Sequence, residues 1–480
     1  MGNRGITSYG VYLPRLRLER AAIAAAHAWS MPALTGLGKG ERTVAGWDED
    51  SITMAVEALR GCGVGGDATS LCFASTTPVY ADLQNASLVA AAPGLRGEIA
   101  PADAGGSLRA GTTALRQALE SVQSGDALVV AADNRIAKPG STQEMHYGAG
   151  AAALRIGEDP IARYLGGVST SVPFIDHFRA AGRQHDYVWE ERWVRDEGYL
   201  KIVPNAIAAV LEQTGLSAAQ IDHFILPGSV RGIAASVAKC AGIAADAVVD
   251  NLAAGCGDTG SPHALIMLAG VLEQARPGER ILVASFATGC DALLFETTDS
   301  IANHRSPTGL AAALAGGASE AHYTKLLSFH GQLDLDWGMR AETDAKTALT
   351  ELYRSSDQIN AFVAGECAAC GAVQFPQLAA CVACASAAGF KPHPLADEPA
   401  RVVTFTADWL QYYPSPPLVF GLVQFDSGAR VLMEMVDTDP GTLDVGTPLR
   451  MVFRVKLRDA RRGFSRYFWK ATPVTNPAGD

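Results

Sequence analysis

The chain has 480 residues, 48% of them hydrophobic and 19% charged, with 49 Gly and 24 Pro. That is ample material for a buried core, and at roughly 100 to 200 residues per domain it predicts two to four folded units. The formal charge of −11 weighs against a nucleic-acid protein as a whole and leaves only local basic segments to hold an anion.

Taken in chain order, Met1 to Tyr9 offers neither the apolar stretch of a secretory leader nor the Ser or Thr that would make Gly2 a myristoylation site. The most apolar long window, Ala264 to Leu272, is about half the ~20 residues that a membrane span needs. A cytoplasmic protein without a membrane partner is expected. Ile52 to Leu59 has helical apolar spacing and ends near Gly63; the run from Ser70 to Ser75 then reads as a buried strand, and Asn85 to Ala92 as a helix. Gly106-Ser-Leu-Arg-Ala110 opens a helix reaching about Val122, Gly125 stops it, Asp126 to Asp133 is a strand, and Gly148 to Ile156 closes the unit. Asp186 to Tyr199 joins this stretch to a second one, as a helix with a Glu191–Arg195 pair and packed Trp189 and Trp193, or as a wall around a ligand.

The same plan then returns. Helix Asn205 to Gln213 ends at Gly215, strand Asp222 to Leu226 comes next, and then helix Gly232 to Ala241. Gly260-Ser-Pro-His-Ala264 opens a helix to about Gln274, Pro277-Gly278 stops it, and strands Arg280 to Ser285 and Asp291 to Glu296 close the unit. The stop glycines are 62 residues apart in the first stretch and 63 in the second, and Gly-Ser-x-x-Ala opens the long helix in both. A duplicated α/β domain is implied, with parallel sheets covered by helices in two layers about a pseudo-twofold.

Ser328 to Asp344 is polar and breaks the repeat, so residues 331–360 are expected to be a linker with a lead-in helix. Four of nine cysteines then fall in two Cys-x-x-Cys knuckles ten residues apart, Cys367/Cys370 and Cys381/Cys384. In a reducing compartment that spacing predicts one structural Zn²⁺, closed by four thiolates, in a ribbon over residues 361–392. Ala385 comes after the second knuckle where such turns usually carry Gly. From 393 to 475 short alternating runs (Arg401–Thr406, Leu418–Phe425, Arg430–Met435, Leu449–Val455) separated by Asp426-Ser-Gly428 and Asp439-Pro-Gly441 predict a small all-β barrel. Arg454, Lys456, Arg458, Arg461, Arg462 and Arg466 could face an anion, or with Tyr467, Phe468 and Trp469 a single-stranded nucleic acid.

The duplicated plan resembles the thiolase superfamily. Gly5-Ile-Thr-Ser-Tyr-Gly-Val-Tyr-Leu-Pro-Arg15, Asp48-Glu-Asp-Ser-Ile-Thr-Met-Ala55, Gly148-Ala-Gly-Ala-Ala-Ala153 and Pro277-Gly-Glu-Arg-Ile-Leu282 resemble hydroxymethylglutaryl-CoA synthases over residues 1–330, with halves of about 1–165 and 166–330. The resemblance implies a five-layer αβαβα domain, a CoA thioester as substrate, and a homodimer through that domain. The ribbon and barrel resemble a zinc-ribbon/OB-fold protein that accompanies thiolase-like enzymes and is associated with acyl-CoA handling, which would set Arg461 and Arg462 on CoA phosphates and leave no nucleic-acid partner.

The family's catalytic set, however, does not carry over. Its nucleophile pattern Cys-x-Ala-Gly-Thr falls on Leu108-Arg-Ala-Gly-Thr112, its His on Pro227, its Glu on Thr76 and its Asn on Cys256. What remains polar is Cys256, Asp258 and His263 on one loop and helix start, His146 and Tyr147 before Gly148, and Arg231 and Gly289 as candidate cofactor-binding positions. Three readings are open. One is an aldol or retro-aldol step on a 3-hydroxyacyl-CoA without an acyl-enzyme, using donors from Ala287–Gly289 and the Gly260 helix start, with His263, Asp258 or Tyr147 as acid/base. The others are acyl transfer through Cys256 and a non-catalytic acyl-CoA scaffold.

Overall fold

The computed structural model describes residues 4–63, 68–95, 99–121, 125–306 and 308–474. The chain divides into a first unit holding most residues up to Leu326 and a second from Leu327 onward that also takes in Trp47–Glu49 and a stretch from Ala90.

In the first unit the elements run as β1 (Arg4–Tyr12), α1 (Ser51–Gly61), β2 (Ala68–Ala74), α2 (Asn85–Ala91), β3 (Ala100–Ala104), α3 (Ala110–Ser121), β4 (Asp126–Asn134), α4 (Thr142–His146), β5 (Ala149–Glu158) and β6 (Ala162–Ser171). Val122, the expected end of α3, lies outside the described residues. A short hairpin, β7 (His177–Phe178) and β8 (Tyr187–Val188), leads to α5 (Leu200–Thr214), β9 (His223–Ile225), α6 (Ile233–Ala241), α7 (His263–Leu272), β10 (Arg280–Phe286) and β11 (Gly289–Thr297). Asp50 caps α1 by accepting from Ile52 N and Thr53 N. The punctuating glycines Gly63, Gly125, Gly215 and Gly278 all have positive φ, the conformation a chain stop needs and other residues resist.

The strand order is β9-β10-β11-β6-β1-β5-β4-β2-β3. Outward from the centre, β1-β5-β4-β2-β3 in one half matches β6-β11-β10-β9 in the other, so the duplication is in the topology. The fifth strand of the second half shrinks to one bridge, Phe224 to Val248. The expected parallel sheets are corrected: β2 runs parallel to β3 and β4, and β9 to β10, but β4/β5, β5/β1, β10/β11 and β11/β6 are antiparallel. The reason is connection length. Between β10 and β11 lie only Ala287 and Thr288, and a tight turn reverses the chain, whereas a parallel crossover needs a dozen residues or more. The halves also join edge to edge, through Gly5 opposite Arg163 and Ile6 opposite Ala162. A Cβ on Gly5 would stand 2.0 Å from the Ala162 carbonyl, so only glycine permits that seam.

Helices α3 and α7 pack on each other and on strands of both halves. Helix α7 is apolar all round and buried, as a helix between two sheet faces must be. Their starts therefore meet the ends of β4 and β2, which is where the polar site forms.

In the second unit, β12 (Val363–Cys367), β13 (Val373–Gln374) and β14 (Phe390–Pro394) form a three-stranded ribbon sheet. Then β15 (Ala400–Asp408), β16 (Leu418–Phe425), β17 (Arg430–Met435), β18 (Pro448–Asp459) and β19 (Phe464–Pro473) close a barrel in the order β15-β16-β17-β19-β18, with β17 and β19 parallel. That is an OB-type barrel. Its fifth strand, β19, lies outside the four runs that the sequence pattern picks out. Tyr467 and Trp469 are buried on it, and Trp469 Nε1 donates to the Asn360 carbonyl at 2.7 Å. They are core, which removes the stacking platform for single-stranded nucleic acid.

Candidate active site and metal centre

After Asp126, strand β4 is apolar up to its end, where Asp133 and Asn134 close it and Arg135 follows. Asp133 is fully buried and is satisfied entirely by neighbours. Its Oδ1 accepts from Ser75 Oγ at 2.9 Å, Thr76 N at 2.7 Å, Thr77 N at 3.0 Å and Thr77 Oγ1 at 3.1 Å. Its Oδ2 accepts from Thr76 Oγ1 at 2.9 Å and Ser261 N at 2.7 Å. One carboxylate thus ties the turn after β2 to the start of α7.

Beside it lies a second cluster. Arg135 donates to Asp186 Oδ2 at 3.0 Å and to Asp258 Oδ2 at 3.3 Å, and its guanidinium sits 3.6 Å above the Tyr147 ring. Tyr147 Oη donates to Asp186 Oδ2 at 2.9 Å. Arg179 donates to Asp186 Oδ1 at 2.7 Å and to the Thr76 carbonyl. Burial works to raise both Asp186 and Asp258, but Arg135 and the other donors outweigh it and hold each carboxyl below its usual range. Tyr147 is pushed up, first by burial, and keeps its proton.

A third cluster stands at the start of α3. Asp291 accepts from Arg109 at 2.6 Å, Ser169 at 2.7 Å, Thr112 at 3.0 Å and Thr113 at 2.7 Å, while Arg109 Nε also donates to the Ala287 carbonyl at 3.0 Å. Leu108, where the sequence resemblance sets the family's nucleophile, precedes this helix in a turn and is partly exposed.

The residues singled out from sequence fare differently. Cys256 is 0% exposed, its thiol directed to the carbonyls of Leu252 and Gly257, and burial pushes it up to about 12. Such a thiol is not a nucleophile at neutral pH. His263 is buried with both ring nitrogens engaged, Nδ1 by Thr259 and Nε2 by the Asn251 carbonyl at 2.9 Å. Asp258 and Tyr147 come together around Arg135. His146 is half-buried next to them and lies below its ordinary value, through burial and then Arg20. Arg231 is exposed just before α6, and Gly289 at φ +118° packs its backbone against Thr170.

Several of the expected oxyanion donors are already engaged. At the Gly260 helix start, Gly260 N is held by Asp258, Ser261 N by Asp133 and Thr259 N by His263, and Pro262 has no N–H. Ala287 N is held by the Gly289 carbonyl. The anion that this helix start attracts is the chain's own Asp133. In the joining segment, Arg195 pairs with Asp196 rather than Glu191, and Trp189 and Trp193 are about half exposed, Trp193 stacking on Phe174.

Sequence reading passed over Asp133, Arg135, Arg179 and Asp186, whereas Asp291 was already placed beside the Ala287–Gly289 loop. Three polar residues ending an apolar strand were a signal for the first two. If the burial of Cys256 governs its chemistry, iodoacetamide at neutral pH should label exposed Cys240 while leaving Cys256 unmodified in the folded protein, as peptide mapping would report.

In the second unit the four knuckle thiols converge, all within 4.8 Å of one another. Cys367 to Cys384 is 3.8 Å and Cys370 to Cys381 is 3.6 Å. Zinc–sulfur bonds of about 2.3 Å in a tetrahedron place sulfurs about 3.8 Å apart, so these residues fit Zn²⁺ and leave it no open position. Ala385 takes φ +58° where Gly371 takes +74° in the first knuckle.

The same unit holds a cavity of about 1560 Å³, walled by Trp47, Trp337 and Tyr413 and rimmed by Lys456, Arg461 and Arg462. Not every basic residue is available to it. Arg454 is buried on Asp437 at 3.0 Å and Glu49 at 3.3 Å, which corrects its expected exposure; Lys456 pairs with Glu434, Arg462 with Asp459, and Arg466 lies 3.9 Å from Glu351. Arg458 donates to the carbonyls of Trp47 and Glu49, and Arg461 is exposed. Among the described residues no helix is long and apolar enough to cross a membrane.

A duplicated mixed sheet around two buried helices, with a zinc ribbon and an OB barrel after it in the chain, defines a thiolase-like protein with a fused ribbon–barrel module. Comparison with known proteins agrees for each part. Residues 211–295 match the 3-oxoacyl-[acyl-carrier-protein (ACP)] synthase III C-terminal family, 357–388 the ChsH2 rubredoxin-like zinc ribbon domain, and 393–454 the ChsH2 C-terminal OB-fold domain. Hydroxymethylglutaryl-CoA synthase of Archaeoglobus fulgidus is 31% identical over 314 residues, covering 62% of this chain and 91% of that one. The Aeropyrum pernix protein of the same name is 32% identical over 309 residues, covering 62% and 86%. The chain belongs to the hydroxymethylglutaryl-CoA synthase family. The fold is shared with MvaS in complex with 3-hydroxy-3-methylglutaryl coenzyme A, at TM-score 0.59 and 20% identity over 70% of this chain and 93% of that one. It is shared too with an HMG-CoA synthase complexed with CoA, at TM-score 0.60 and 15% identity over 72% and 95%.

Proposed function

We propose that the protein acts on a CoA thioester, making or breaking a carbon–carbon bond beside its carbonyl without an acyl-enzyme. An aldol or retro-aldol step on a 3-hydroxyacyl-CoA is the form this takes. One observation carries the choice: the resemblance sets Leu108 at the family's nucleophile position, and the thiols of Cys256 and Cys290 are buried and each pushed up to about 12. In the cleavage direction a base removes the 3-hydroxyl proton and the Cα–Cβ bond breaks. Its electron pair moves toward the thioester carbonyl, and the resulting enolate takes a proton at Cα.

His146 fits the base. Held below the ordinary histidine value near 6.5, it is neutral at neutral pH with a free lone pair to offer. Tyr147, Arg135 and Asp258 set the polar wall beside it, and His263 is a fixed support. Activity should therefore fall as pH drops through the lowered His146 value. The fold's preference for neutral His146 contributes stability above 6.5 that is likewise lost toward acid. His146→Ala should cost about 10²-fold in kcat.

The second-unit cavity is proposed as a CoA-binding site, with exposed Arg461 on phosphate and Arg462 joining it only on leaving Asp459. A homodimer through the thiolase-like unit would cover the open edge of β3. The test is incubation with a panel of acyl-CoAs and analysis of the products by mass spectrometry. An aldehyde or ketone plus a shortened acyl-CoA, retained by Cys256→Ser, is the expected result. An acyl adduct that Cys256→Ser abolishes would replace this reading with acyl transfer, which the relatives' names favour. Binding without turnover would leave a scaffold.

A further inference from the structure

The retro-aldol step moves two protons, one from the 3-hydroxyl to a base and one onto Cα, and His146 accounts only for the first. A second imidazole stands in the hairpin β7–β8. His177 pairs with Val188 across it, two residues beyond Asp186, which Arg135 and Tyr147 hold to the floor of the polar site. The neighbouring Asp176 is fixed too, its carbonyl accepting from Trp189 N at 3.2 Å.

Asp176 and His177 form a dyad, with Oδ2 2.7 Å from Nδ1. A carboxylate only accepts, so Nδ1 carries the ring proton and Nε2 presents its lone pair, the arrangement that orients a histidine for proton transfer. Among the described residues no hydrogen bond engages Nε2, whereas both nitrogens of His263 are held. The His177 side chain is 19% exposed, enough to meet a substrate and to trade protons with water. Asp176 Oδ1 is buried and has no partner among the described residues. A carboxylate kept for the fold alone is tied at both oxygens, as Asp133 is; this one is tied to the imidazole. After Arg135, His177 is among the groups that hold Asp258 down against its burial. Tyr199, pushed up by burial and then by Asp176, donates to the Pro227 carbonyl at 3.4 Å, and Pro227 is where the resemblance sets the family's histidine.

We infer that His177, oriented by Asp176, is the group that exchanges a proton with Cα of the acyl-CoA. In the condensing direction Nε2 takes a proton from Cα, the C–H electron pair passes to the thioester carbonyl as an enolate, and Asp176 balances the imidazolium that forms. In cleavage the imidazolium returns a proton to Cα as the carbonyl re-forms, and His146 and His177 then reset through water, one losing a proton and the other gaining it. His177 is the catalytic residue and Asp176 its positioning residue. The inference rests on the proposed function for the enolate.

Deuterium uptake at Cα of acetyl-, propionyl- and octanoyl-CoA in D₂O, counted by mass spectrometry, reads this step without any carbon–carbon chemistry. The parent should exchange at least one of them faster than buffer does. His177→Gln should slow that exchange by about 10²-fold or more, and imidazole should restore part of it to His177→Ala. Asp176→Asn, which can hold the ring in the wrong tautomer, should slow it about tenfold or more and cost nothing further in His177→Ala, since the two act as one unit. Should His177→Ala fail to melt cooperatively, His177→Gln and Asp176→Asn, which keep the side-chain volume, carry the test. Exchange that His177→Gln leaves unchanged, or that the parent shows with none of the three, overturns the inference, and the proposed reaction is then judged by its products. An Asp176→Asn loss that adds in full to that of His177→Ala overturns the dyad. Exchange that depends on His177, with no carbon–carbon product from any acyl-CoA, would sink the proposed reaction and leave the inference standing.

Discussion

Cys381→Ser is expected to drop bound zinc from one per chain to near zero and to unfold the ribbon. The segment from Cys367 to Phe390 has few apolar side chains of its own, and beyond the meeting of the thiols its second knuckle gains two hydrogen bonds with the Gln374 side chain, one from Val382 N and one to the Ala380 carbonyl. In zinc-finger peptides such metal binding is worth about 10 to 16 kcal/mol, nearly all of it folding free energy. The loss should spread to the adjoining barrel, because Phe362, beside the ribbon's first strand, packs on Phe425, Phe468 and Trp469. Proteolysis between 368 and 388 and an early melting transition would report it, with zinc measured by elemental analysis. Ala385→Gly should act oppositely, by about 0.5 to 1 kcal/mol, since it relieves a left-handed alanine. A protein free of zinc whose proteolysis matches the parent would show that the knuckles no longer hold the ribbon.

The zinc centre was legible because its signal is a spacing. Two Cys-x-x-Cys pairs must curl, and curled they meet. The duplication was legible for the same reason, since helix-stop glycines repeat at one interval and each takes the positive φ that a stop requires. Strand direction has no such signature: a buried run looks alike whether its neighbour is parallel or antiparallel, and only the two residues between β10 and β11 betray the reversal. Strand β19 did carry a period-2 pattern in Tyr467, Trp469 and Ala471, but the charges between them drew it toward a binding patch. The site itself was the least legible part. Its groups come from 75–77, 133–135, 147, 179–186 and 258–261, and no interval links an aspartate in a hairpin to an arginine at a strand end. Cys256 shows the converse limit, for its place in the loop was readable and its complete burial was not.

Asp133→Ala is expected to be the most damaging single change in the thiolase-like unit. Six donors point at this carboxylate, three of them backbone N–H groups of Thr76, Thr77 and Ser261. Alanine leaves them facing a void too enclosed for easy repair. Thr77 N keeps a second acceptor in Ser75 Oγ at 3.0 Å, so the loss is less than six full bonds. A hydrogen bond to a charged group contributes about 1.5 to 3 kcal/mol, and buried donors left unpaired cost about 1 to 3 kcal/mol each. Two such losses alone come to about 2 to 6 kcal/mol, a large part of the roughly 5 to 15 kcal/mol by which a domain is stable. Asp133→Asn separates charge from shape. It keeps an acceptor on one side but turns an NH₂ toward donors on the other, and should fall between alanine and the parent. Urea melts read by circular dichroism would rank the three, with the zinc-ribbon transition as an internal control that neither variant moves. An Asp133→Ala protein that melts with the parent would mean that the turn after β2 and the start of α7 are held by packing alone, and that this buried carboxylate has another purpose.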